Sequence, residues 1–207
     1  MQISSLSEAC DFVLEWQGVP GRLPGKPLSG LAAQALPIVE LNACLGLVWQ
    51  SKEHPLKVDL SIPGKPVSVF EYQDRVLNPS DYEIDEQGIV SVVWENQGVW
   101  GMGFSPSDPG PLWVKRYWVD NVDALNGELW RRTNSTLDEG LTFALLSNFI
   151  IMIADDDEWQ ADENNVSAET PVLLWRFQSI TEGFPSFWTN DSRTAVHYSG
   201  MYITVRR

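Results

Sequence analysis

Near the start of the chain, Leu6, Ala9, Cys10, Val13 and Leu14 recur three and four positions apart, and Ser5 or Ser7 is placed to cap the first turn. The spacing predicts an amphipathic helix over 4–17. Val19-Pro20-Gly21, Leu23-Pro24-Gly25 and Lys26-Pro27 then interrupt every period, so 18–30 reads as a loop. Leu36, Val39, Ala43 and Leu47 restore the helical period over 32–49. Pro37 fits only in a first turn, which moves the expected start to Leu36.

From Lys57 the period falls to two. Val67 to Tyr72 alternates as a strand, and Asn78-Pro79-Ser80 marks a turn. Val90, Val92 and Trp94 line one face of a further strand. Asn96-Gln97-Gly98 supplies a turn, with Gly98 free to take positive φ, and 99–104 returns as the partner strand. Residues 112–119 form a third strand behind a Pro-rich lead, completing an antiparallel meander. Gly101 and Gly103 have no phosphate-loop helix after them, so they mark a bulge or a close backbone approach within a strand.

Thr136-Leu137-Asp138-Glu139 opens a long helix, with acidic residues where the helix dipole favours them. Leu137, Leu141, Ala144, Leu145, Asn148, Phe149 and Met152 carry its apolar stripe. Strands resume at 172–177 and 195–198. Ser199-Gly200 turns the chain into a last strand in which Met201, Ile203 and Val205 alternate. Strands joined by hairpins cannot build a parallel βαβ sheet, so the order predicts an α+β domain with segregated layers.

Charge sharpens this picture. The chain of 207 residues carries 28 acidic and 14 basic side chains, a net charge of −14. A field of that sign repels phosphate backbones and anionic membranes and attracts basic partners, so no nucleic acid and no membrane is expected as a direct partner. The acid is concentrated: between Arg132 and Arg176 there are nine Asp or Glu and no Lys or Arg. Asp155, Asp156, Asp157 and Glu158, followed by Asp162 and Glu163, are the candidate partner-binding residues. The chain begins without a basic segment leading into an apolar one, and Cys10 and Cys44, its two cysteines, lie in apolar helical segments. Both features predict a cytoplasmic protein with reduced, buried thiols.

Catalytic constellations do not assemble. His54 and His197 are the two histidines, too few with two thiols for a zinc site at ligand spacing. No Gly-x-Ser-x-Gly occurs. A calcium loop starting at Asp155 would need Gly at its sixth position and Glu at its twelfth, where Gln160 and Val166 stand. The ten tryptophans could stack on sugars, but their places in strands and on helical faces favour core packing. The expectation is a non-enzyme with no cofactor and no metal.

The string Gly88-Ile89-Val90-Ser91-Val92-Val93-Trp94-Glu95-Asn96-Gln97-Gly98-Val99-Trp100-Gly101-Met102-Gly103-Phe104 resembles the SUKH superfamily, the Smi/Knr-like group. The lead Asp108-Pro109-Gly110-Pro111-Leu112-Trp113-Val114 and the upstream Ala35-Leu36-Pro37-Ile38-Val39-Glu40-Leu41 resemble it too. The chain departs from the family at Leu45-Gly46-Leu47-Val48-Trp49, where an Asn-Gly is common. The resemblance implies a single α+β domain over 1–207, with a family-like core at 32–153 and a C-terminal helix and strand extension at 154–207. Its fold would be a curved antiparallel sheet of about six strands with helices packed on it. The resemblance also implies a bacterial immunity protein that binds and neutralises a cognate basic toxin, often a nuclease. A regulatory or scaffold interaction protein is the alternative, and a carbohydrate-binding or carbohydrate-active protein ranks below both. Glu95, Asn96, Gln97, Gly98 and Trp100 would then serve the fold as the family motif rather than act as an active site.

Overall fold

The first helix, α1 (Leu6–Trp16), starts where Ser5 leaves extended backbone and its hydroxyl accepts from the Glu8 N–H at 3.3 Å. A 3-10 turn (Ala32–Gln34) precedes α2 (Leu36–Leu45), which has Pro37 in its first turn, and Gly46 separates α2 from the short α3 (Leu47–Gln50). The expected single helix over 32–49 is thus two helices with a break at Gly46. In this computed structural model the described residues are 2–51, 56–58, 67–71, 74–95, 100–116, 130–153, 172–177, 186–190, 195–198 and 203–206.

Eleven strands are seen among them, in three antiparallel sheets rather than one sheet of six. β1 (Lys57–Val58) pairs with β2 (Val67–Ser68). A five-stranded meander follows in chain order: β3 (Asp74–Val76), β4 (Val90–Glu95), β5 (Trp100–Ser105), β6 (Asp108–Arg116) and β7 (Trp130–Thr136). β8 (Val172–Trp175), β9 (Phe187–Thr189), β10 (Ala195–Tyr198) and β11 (Ile203–Arg206) make a second meander of four. The class is α+β, as the order of elements predicts. β3, β7 and β9 have no clear alternation in the sequence and are new. The Asn96–Gly98 turn and the Ser199–Gly200 turn lie outside the described residues.

α4 (Leu137–Ile153) explains the departure from a single sheet. It contacts α1 and α2, strands β3, β5, β6 and β7 of the five-stranded sheet, and β10 and β11 of the four-stranded one. Fourteen of its seventeen residues are buried. The apolar stripe predicted for one face is therefore part of a helix buried on all sides. Phe143 shows how the layers join: its ring lies 6.2 Å from Trp100 of β5 and 6.0 Å from Phe187 of β9, and 5.4 Å from Phe177. Glu139 closes the start of α4 as a capping box, accepting from the Thr136 N–H at 2.9 Å while the Thr136 hydroxyl accepts from the Glu139 N–H at 3.2 Å.

Candidate functional site

The connection between β3 and β4 is a rigid, acidic hairpin. Asn78 caps its opening turn by accepting from the Ser80 N–H at 3.0 Å. Ile84 bridges Val90, and between them Asp85 holds the reversal with one carboxylate oxygen, accepting from the N–H groups of Gln87 at 2.9 Å and Ile89 at 3.0 Å. Gly88 sits at φ +77°, where a side chain would be strained. The other carboxylate oxygen of Asp85 accepts from the Trp130 indole N–H at 2.6 Å, tying the hairpin to β7 across the sheet.

Glycines make room for that indole. A Cβ on Gly103 would come within 3.1 Å of the Trp130 ring and 2.5 Å of the Val90 carbonyl oxygen. The close approach that the Gly101 and Gly103 pattern predicts is present. Register aligns Trp94, Gly101, Lys115 and Trp130 in one row over β4 to β7, and the Lys115 ammonium lies 5.5 Å from the ring centres of both Trp94 and Trp130.

So anchored, the hairpin presents Asp81, Glu83, Asp85 and Glu86 on an exposed edge. Ile84 stands among them with 52 % of its surface exposed. Where the start of the hairpin meets the 26–32 segment, a cavity of about 550 Å³ opens, lined by Lys26, Leu31, Trp49, Asn78, Ser80 and Tyr82 among others. That size lies within the roughly 300–1,000 Å³ of small-molecule pockets. The Tyr82 hydroxyl is buried without a hydrogen-bond partner among the described residues, and burial pushes its phenol well above the usual range.

Asp85 is the support of this edge, which makes a direct test. Asp85→Ala should lower folding stability by about 1–3 kcal/mol, because three donors lose their acceptor. Asp85→Asn keeps one acceptor for the reversal and loses only the Trp130 bond, since its amide NH2 cannot accept from the indole N–H, so its loss should be smaller. A urea melt of Asp85→Ala that matches wild type would show that the hairpin is held otherwise.

The sequence-chosen residues fall in three places. Asp155, Asp156, Asp157, Glu158, Asp162 and Glu163, and with them Asn96, Gln97 and Gly98, lie outside the described residues. Trp100 is half-buried against Phe143. Glu95 is buried at 8 % exposure, and register sets it opposite Asp74, itself 2 % exposed.

Sequence reasoning missed this carboxyl pair, because β3 is three residues long and shows no alternation of its own. Asn148 of α4 holds the Asp74 main chain on both sides: its amide oxygen accepts from the Asp74 N–H at 2.7 Å, and its amide nitrogen donates to the Asp74 carbonyl at 2.6 Å. One Asp74 carboxylate oxygen is buried with no hydrogen-bond partner among the described residues. Burial, helped by the nearby Glu95 charge, pushes the Asp74 carboxyl up to about 7. Asp74 can therefore hold a proton near neutral pH, a property shared by catalytic acids and by buried structural acids. No protein-family model, no curated protein and no solved structure matches this chain.

Proposed function

We propose that this chain is a non-catalytic protein-binding domain of the immunity type, which binds and neutralises a basic toxin domain. The observation that carries the reading is the hairpin edge at 81–86, where a half-exposed isoleucine stands among four exposed carboxylates on a rigid support. Each part has a physical role. The carboxylates, within a chain of net charge −14, steer a basic partner and set its orientation. Ile84 supplies an apolar contact that excludes water, the kind of central anchor around which interface energy concentrates. The neighbouring cavity offers room for a partner side chain. The Smi/Knr-like resemblance of 88–104 supports the same reading. The acidic run Asp155–Glu158 adds to the attracting field through its charge.

Co-expression with basic toxin domains encoded beside this chain tests the proposal, scored by growth rescue and co-purification. Rescue with complex formation is expected; toxicity undiminished by every such pairing would overturn it. Against a rescued toxin, Ile84→Lys should weaken binding roughly tenfold or more, because it removes the apolar contact and sets a like charge before a basic partner. The same variant should melt like wild type, since the position is exposed. Neutralising Glu83 and Glu86 to Gln should act mainly on the association rate and reduce its salt dependence. If neutralising Asp155, Asp156, Asp157 and Glu158 weakens binding while the hairpin variants do not, the interface lies in the C-terminal segment.

A further inference from the structure

α2 is apolar on two sides. Ile38, Leu41, Cys44 and Leu45 are buried in the core, in a helix that packs against α1 and α4. Leu36, Val39 and Ala43 recur at steps of three and four on the opposite side, and all three stand exposed. Leu36 is 79 % exposed and Val39 37 %; with Ile84 they are the large apolar residues left exposed among the described residues. A single apolar side chain in water is ordinary, but here three follow one line along a helix.

The setting of this stripe is acidic. Glu40 lies on the same side of α2, one turn after Leu36 and one turn before Ala43. α1, which packs against α2, carries Glu8, Asp11 and Glu15 away from its buried side, again at steps of three and four. α4 opens with Asp138 and Glu139. Over the four helices there are six acids and no Lys or Arg. Arg22, from the loop after α1, pairs with Asp11 at 2.7 Å and offsets one of these charges.

We propose that the solvent side of α2, beside the acidic row of α1, docks a basic amphipathic helix of a partner protein. Its apolar face meets Leu36, Val39 and Ala43, and its Lys and Arg side chains reach Glu40 and the acids of α1. A helix fits because the stripe runs straight along an axis for about 10 Å, and Ala43 is small enough to let a second backbone come close. A strand would need an open sheet edge, which a helix face does not offer. The charge argues for a foreign partner over a second copy. Two copies meeting through this side would set acidic rows against each other, and each chain carries a net charge of −14. The surface is separate from the hairpin edge, and the inference stands whether or not that edge binds a toxin.

The probe is a fluorescein-labelled synthetic peptide of Leu and Lys, about 18 residues long, with Leu at steps of three and four. A control peptide has the same composition in strict alternation, which suits a strand. Fluorescence anisotropy with the whole chain should show the helical peptide binding roughly tenfold tighter than the control. Leu36→Ser combined with Val39→Ser should lose about tenfold or more of that affinity while melting like wild type, since both positions face solvent. Glu40→Gln should weaken binding by about threefold and flatten its salt dependence. Ile84→Ser should leave the peptide's affinity unchanged, which separates this surface from the hairpin edge. Equal affinity for the two peptides would sink the proposal, as would a doubly substituted chain that binds as tightly as wild type. A wild-type dimer in sedimentation that the same two substitutions dissociate would also sink it, because a second copy would then cover the face.

Discussion

Substituting Gly46 with alanine should destabilise the fold by about 2–4 kcal/mol, although Gly46 has φ −60° and ψ −21°, values at which alanine is comfortable. Local propensity alone favours alanine there by about 1 kcal/mol. Packing reverses the sign. An added Cβ would meet the Asn42 side-chain oxygen and come within 2.7 Å of the Gly25 backbone nitrogen. Gly25 belongs to a strap of chain, residues 22–25, that lies along α2: its N–H donates to the Asn42 carbonyl at 2.9 Å, and Leu47 donates to the Leu23 carbonyl at 3.0 Å. Pushing the strap away loses these bonds together, each worth about 0.5–1.5 kcal/mol net. Gly110→Ala is the control, because a Cβ there meets nothing within 4 Å. Urea unfolding of the two variants decides the matter; equal midpoints would show that the helix break tolerates a side chain.

The second large effect is a dependence on pH centred on Asp74. Its carboxyl releases a proton near 3.8 when unfolded and near 7 when folded. Between those values the folded chain binds more protons, so its stability falls as pH rises through that window and levels off above it. About three pH units at roughly 1.4 kcal/mol each place the effect at up to about 4 kcal/mol. Asp74→Asn keeps the shape and the Asn148 clamp, which uses the main chain, while removing the ionisation. The variant should gain stability over wild type at pH 8, match it near pH 4, and lose most of the slope between. Repulsion within a chain of charge −14 also opposes folding at high pH, but that term is nearly common to both proteins. Parallel stability curves for the two would remove Asp74 as the cause.

These two residues divide what is legible in a sequence from what is not. The period of apolar positions determined the elements of α1, the core of the five-stranded meander and α4, because 3.6 and 2.0 are properties of the backbone itself. Pro37 and Ser5 set helix starts through the same local chemistry. The Gly101 and Gly103 pair announced a close approach without saying to what; only the fold brings Trp130 there. Gly46 had a local reading as part of a continuous helix, and the strap that forbids a side chain there comes from some twenty residues earlier in the chain. Asp74 carries no signal of its own in the sequence, and Glu95 reads there only as part of the 88–104 string, until the β3–β4 register sets them opposite one another. Local periodicity encodes which residues are buried, because burial follows each element's own faces. Which buried groups meet is decided by pairing and packing between elements distant in sequence, and the charge, strain and reactivity of this protein arise at those meetings.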